Sequence, residues 1–209
     1  MRTVTPPANA SADLCGLFAE LLRFPGPDLE TGVRDGQVAA AVRHLSGHLD
    51  FELSAPADAL NSVLEPKELE FEYIRLFDLG DRVPTPLYTG VYSPRRRDAM
   101  EELLRFYRFF GLTTEGGTRD LPDFVPTVLE FLGFLALGAG TGDEAAAVAM
   151  AAARADIFER HLCPWANQTA SRLEQRDAHP FYRAVIGLVK EMASAELCLA
   201  RVQAGRSGR

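Results

Sequence analysis

The sequence predicts an all-α fold: a single-domain helical bundle with one long inserted loop. Apolar residues recur at i, i+3, i+4 and i+7 along almost the whole chain, and no alternating run is long enough for a strand. Prolines and glycines punctuate the helical stretches at their ends.

Ser11 is placed to cap a first helix whose apolar positions are Leu14, Leu17, Phe18, Leu21 and Leu22, and Gly26-Pro27 stops it. A second helix covers residues 35–45, with Val38, Ala41, Val42 and Leu45 inward, and residues 50–64 hold one short helix. Pro66 suits the first turn of a helix running to Phe77, because its missing N–H costs nothing there. Residues 78–94 contain Gly80, Pro84, Pro86 and Gly90 at spacings no helix tolerates. A loop this long is usually functional or disordered, and its Leu87, Tyr88 and Tyr92 argue against disorder. Ser93-Pro94 starts a helix bearing Met100, Leu103, Leu104, Tyr107 and Phe110, which ends at Gly111, and Gly116-Gly117 marks a turn. Pro122 and Pro126 open the next helix, with Leu129, Leu132, Leu135 and Ala136. Residues 143–161 are alanine-rich and helix-favouring. Pro164 and Pro180 begin the last two helices, the final one with Phe181, Val185, Leu188, Met192 and Leu199 in register. Residues 1–10 read as a flexible N-terminus, 11–202 as the helical domain and 203–209 as a frayed polar tail.

Composition narrows the function. Of 209 residues, 47% are hydrophobic and 24% charged, ordinary for a globular protein with one sizeable core. The net charge of −7 argues against nucleic-acid binding, which needs a basic face. No apolar run approaches the roughly 20 residues that cross a bilayer, so membrane insertion is not expected. The N-terminus lacks a signal-peptide core, and Cys15, Cys163 and Cys198 show no CxxC spacing. A reducing, cytoplasmic location fits these features.

Catalytic apparatus is not visible. His44 and His48 are four apart, but Ser46-Gly47 between them reads as a solvated helix end. There is no Glu-x-x-His for a di-iron centre, no phosphate-binding glycine loop and no G-x-S-x-G elbow. We therefore expect no cofactor, no metal and no enzymatic activity. Arg95-Arg96-Arg97 reads as a mixed-charge helix face, with an Arg97–Glu101 pair at i, i+4 and Arg97 the member most apt to point inward. Phe71, Ile74 and Phe77 have core spacing, with Tyr73 and Leu76 on an adjacent stripe. Apolar over so wide an arc, that helix needs a second surface, from the aromatic loop or from a bound peptide. Asp123 and Glu130 lie seven residues apart, on one helix face. Capping accounts for Asp123, whereas Glu130, between Leu129 and Phe131 in the most apolar helix, needs a partner.

Three stretches carry a family resemblance. The first is Tyr73-x-x-Leu76-Phe77 with Pro86-Leu87-Tyr88; the second is Leu121-Pro122-Asp123 with Leu129-Glu130-Phe131; the third is Pro164-Trp165 with Phe181-Tyr182. Together they resemble the nitrate-reductase delta-subunit and TorD-like family of molybdoenzyme maturation chaperones, in wording closest to the type II dimethyl-sulfoxide-reductase branch. Many members carry His after the motif aspartate, where this chain has Phe124. The resemblance implies an all-helical cytoplasmic chaperone, monomer or weak dimer. Its partner would be the catalytic subunit of a molybdenum oxidoreductase, bound by its N-terminal region, often a twin-arginine signal, until cofactor insertion. The resemblance places the client-binding groove at Tyr73, Leu76, Phe77, Tyr88, Tyr92, Arg97, Pro122, Asp123, Glu130 and Phe131. Two other classes stay open: an enzyme of unrecognised type, marked by a polar pocket, and a permanent structural subunit, marked by a flat apolar face.

Overall fold

A computed structural model describes residues 9–54, 57–61, 65, 67–78, 83–112, 120–139 and 144–207, with side chains as far as residue 202. The helices are α1 (Ala10–Leu21), α2 (Pro27–Arg34), α3 (Gln37–Ser46), α4 (Glu68–Phe77), α5 (Arg96–Phe109), α6 (Val125–Gly138), α7 (Glu144–Ile157), α8 (Cys163–Glu174) and α9 (Pro180–Ser207). Short 3-10 turns cover Ala57–Leu60 and Thr89–Tyr92. No strand occurs among the described residues, so the all-α expectation holds.

Several boundaries differ from the sequence reading. Asn9, not Ser11, caps α1, its Oδ1 accepting the Ala12 N–H at 3.0 Å. Helix α1 ends at Leu21, well before Gly26-Pro27, and Pro27 instead opens α2, since proline is well suited to a first helical turn. Helix α4 begins at Glu68, and Pro66 lies outside the described residues, as do Gly80, Gly116 and Gly117. The alanine-rich helix α7 runs through a π-helical turn, Phe158–Leu162, directly into α8. The last helix continues to Ser207, through part of the segment read as a frayed tail.

Packing turns these helices into one core. Helix α1 lies against α6, where Gly133 brings the two backbones together: a Cβ there would stand 3.2 Å from the Ala12 carbonyl oxygen and 3.5 Å from Cys15 Cβ. Helix α9 packs on α8 and contributes Phe181, Tyr182, Val185, Ile186, Val189 and Met192 to the interior. Arg154 of α7 forms a largely buried pair with Glu196 of α9 at 2.5 Å, donates to Ser11 Oγ of α1 at 2.6 Å, and lies over the Phe158 ring at 5.0 Å. A buried charge held this way fixes the register of three helices, and removing one partner would strand the other in apolar surroundings.

Helix α4 buries Leu69, Tyr73, Leu76 and Phe77, an i, i+4, i+7, i+8 stripe, and leaves Phe71 and Ile74 exposed. This corrects the expectation that Phe71 and Ile74 are core. The stripe that faces the bundle belongs to Tyr73 and Leu76, and Tyr182 secures it by donating to the Leu69 carbonyl at 3.3 Å.

The close approach at Gly133 gives the fold prediction. Gly133→Val would drive branched carbons into the Ala12 carbonyl and is expected to destabilise by about 1–3 kcal/mol, read from the urea unfolding midpoint. Unchanged or increased stability would mean that α1 and α6 are not in tight contact.

Candidate functional site

The loop before α5 is held onto the start of α6 by its backbone. Thr89 N–H donates to the Asp123 carbonyl and Val125 N–H to the Leu87 carbonyl, each at 2.8 Å, in an isolated antiparallel bridge between Tyr88 and Phe124. Asp123 is fully buried beneath this junction, and its Oδ2 accepts the Gly90 N–H at 3.2 Å. Glycine is required opposite it, because a Cβ at position 90 would lie 2.7 Å from that same oxygen. Asp123 Oδ1 is buried with no hydrogen-bond partner among the described residues. Burial pushes the carboxyl above its usual range, while Arg96 and the Gly90 N–H pull it back. Trp165 and Thr169 of α8 complete the anchorage, Trp165 Nε1 donating to the Pro86 carbonyl at 3.2 Å and Thr169 to the Tyr92 hydroxyl at 3.1 Å.

The anchored loop closes one side of a cavity of about 510 Å³, whose walls are Phe24, Tyr73, Phe77, Leu87, Tyr88 and Phe124, with Val83. Arg23, Asp78 and Asp120 line it as well. The aromatic wall has two ring clusters: Tyr73 meets Phe24 edge-on at 5.4 Å between centroids and Phe77 at 5.2 Å, and Tyr88 meets Phe124 at 5.5 Å. Arg23 pairs with Glu130 at 2.7 Å and Asp120 at 3.5 Å, with Glu20 at 4.0 Å, and its guanidinium lies 6.0 Å from the Phe124 ring. The result is an aromatic pocket with two carboxylates and one guanidinium in its lining, a shape that takes a large side chain beside a cation.

The ten residues named for a groove divide. Tyr73, Phe77 and Tyr88 line the cavity. Leu76, Tyr92 and Phe131 do not: Leu76 is fully buried, Tyr92 faces Thr169 and Arg172, and Phe131 packs on Tyr107 at 4.7 Å. The Pro122 carbonyl is taken by the Tyr107 hydroxyl at 2.7 Å, and Asp123 lies under the loop. The partner that Glu130 needs is Arg23 of the same chain. Arg97 points outward, its side chain 90% exposed and paired with Glu101 at 2.9 Å, because the inner face of α5 belongs to Ala99, Leu103 and Tyr107. His44 and His48 sit on an exposed helix end, where His48 Nδ1 lies 2.8 Å from the His44 carbonyl.

Arg23, Phe24 and Asp120 were missed. Phe24 is a large apolar residue in the Arg23-Phe24-Pro25-Gly26 breaker after α1, a position with no helical reason for an aromatic. The pairing of Arg23 with Glu130 spans 107 residues and leaves no local trace.

The profile of the nitrate reductase delta subunit family matches residues 35–171. The chain belongs to that family. A selenate reductase assembly chaperone protein of Thauera selenatis is 33% identical over 144 residues, 66% of this chain and 75% of that protein. A chlorate reductase assembly chaperone protein of Ideonella dechloratans is 38% identical over 123 residues, covering 54% and 64%. A perchlorate reductase assembly chaperone protein of Dechloromonas aromatica is 27% identical over 198 residues, covering 90% and 88%. A crystal structure from Archaeoglobus fulgidus, named for a redox enzyme maturation role, shares the fold with a TM-score of 0.50 over 96% of this chain and 99% of its own, at 18% identity.

The buried carboxyl gives a test with a defined sign. The folded state holds the Asp123 proton more tightly than the unfolded chain, so its contribution to stability is complete below the unfolded carboxylate range and is lost as pH rises through the folded pKa. Wild type should therefore lose stability relative to Asp123→Asn as pH is raised across that interval. Asp123→Ala, which strands the Gly90 N–H, should cost about 1–3 kcal/mol. A pH-independent difference between wild type and Asp123→Asn would contradict this.

Proposed function

We propose that this protein is an assembly chaperone for the catalytic subunit of a molybdenum-containing oxidoreductase, and that the aromatic cavity beside α4 receives a segment of that client. The observation that carries the reading is convergence. Tyr73 and Phe77 from α4, Tyr88 from the anchored loop and Phe124 from the start of α6 meet at one cavity, in a chain whose relatives are named assembly chaperones. The reading assigns the chain no catalytic step and places its work in the cytoplasm, before the client is exported.

Magnitudes say what the client must offer. Two large apolar anchors in the cavity would contribute about 3–6 kcal/mol, below the roughly 8 kcal/mol of a micromolar complex. Contacts must therefore extend outside it, onto Ile74 and Leu121, which are exposed next in sequence to cavity-lining Tyr73 and Asp120. The N-terminal region of the client, with basic residues preceding an apolar stretch, supplies such a pattern, the cations meeting Asp78 and Asp120. A modest affinity suits a protein that has to let its client go once the cofactor is in place.

Phe24→Ala and Tyr88→Ala remove cavity wall at half-exposed or exposed positions and should leave the fold intact. Each is expected to weaken binding of the purified catalytic subunit by about tenfold or more, measured by calorimetric titration. In a pull-down from the native host, a molybdoenzyme catalytic subunit lacking cofactor should dominate with wild type and fall sharply with either variant. Equal recovery with folded variants would exclude this cavity as the client site.

A further inference from the structure

Arg23 is placed unlike any other cation in the described chain. It lines the cavity, and its guanidinium sits among three carboxylates from three segments, Glu20 of α1, Asp120 and Glu130 of α6, with the Phe124 ring alongside. About a third of its side chain is exposed, and the carboxylates are more exposed still or equally so. Ion pairs this exposed hold a side chain in place without binding it strongly. The set of groups is one that recognises a guanidinium, with planar acceptors for its fork and an aromatic face beside it.

We propose that Arg23 is a resident stand-in for an arginine of the client, occupying the client's arginine subsite in the free protein and swinging out when a client guanidinium takes its place. This rests on the reading of the cavity as the client site. The exchange replaces one set of exposed ion pairs by an equivalent set, so it adds little net affinity. Its effect is selectivity: a ligand without arginine that displaces Arg23 leaves three carboxylates unpaired, whereas one with arginine does not. While Arg23 occupies the subsite, the competent fraction of the protein is reduced, and the apparent affinity falls by that fraction.

The test uses the full chain and two synthetic peptides, one with an arginine pair followed by an apolar stretch, the other with both arginines replaced by glutamine. Arg23→Gln is expected to bind the arginine peptide about three- to tenfold more tightly than wild type and to show no gain for the glutamine peptide. Arg23→Lys keeps the charge and the apolar stem but loses the fork, and should fall between wild type and Arg23→Gln. Circular dichroism melts establish that each variant is folded. Unchanged or weaker binding of the arginine peptide by folded Arg23→Gln and Arg23→Lys overturns the exchange and leaves Arg23 a clamp between α1 and α6. An equal gain for both peptides also overturns it, since Arg23 would then be a steric plug. Failure of both peptides to bind any form removes the client-cavity reading itself, and the exchange with it.

Discussion

The cavity depends on the junction between residues 87–90 and residues 123–125. Two backbone hydrogen bonds and the Asp123–Gly90 contact fix a loop that would otherwise have no regular partner. Once that loop is fixed, Tyr88 stands opposite Tyr73 and Phe77, and the end of α4 becomes a wall of the cavity. Without it, Leu87 and Tyr92 would leave the core and the aromatic surface of α4 would face water. A buried aspartate is a costly way to hold a glycine N–H. It makes the start of α6 and the loop one unit, so that the cavity and the bundle core share a boundary.

Charge is used in two ways in this bundle. Arg154 and Glu196 are buried, joined to each other and to Ser11, and serve to register α1, α7 and α9. Arg23 and its three carboxylates are partly exposed, beside a cavity. The first arrangement resists change because breaking it strands a charge in apolar surroundings. The second is replaceable because water and salt already compete for it. A protein that must bind and then release a partner needs both kinds in separate places.

Much of this was legible in the sequence because helices are local objects. The periodic Leu14, Phe18, Leu21 and Leu22 and the proline starts at Pro164 and Pro180 needed no knowledge of neighbours. The irregular segment within the described residues 83–94 was legible from its proline and glycine spacing, and its Tyr88 lines the cavity. What failed needed distance. The inner face of α4 cannot be chosen from its own pattern, since Phe71, Tyr73, Ile74, Leu76 and Phe77 surround the helix, and the choice is made by Tyr182 and Leu22. The same applies to Glu130, whose need for a partner was visible but whose partner, Arg23, is in contact with it in space yet half the chain away in sequence. Arg97 was misread because a mixed-charge helix start offers no sign of which charge turns inward.

The central claim is that a client segment enters the cavity between α4 and the anchored loop. Hydrogen–deuterium exchange of the chain, with and without the N-terminal segment of its client's catalytic subunit, tests it directly. The account predicts slower exchange at residues 73–78, 83–90 and 120–125 on binding, with the helices around Arg154 and Glu196 unchanged. Protection confined to the Arg154–Glu196 region, with those three segments unaffected, would contradict it.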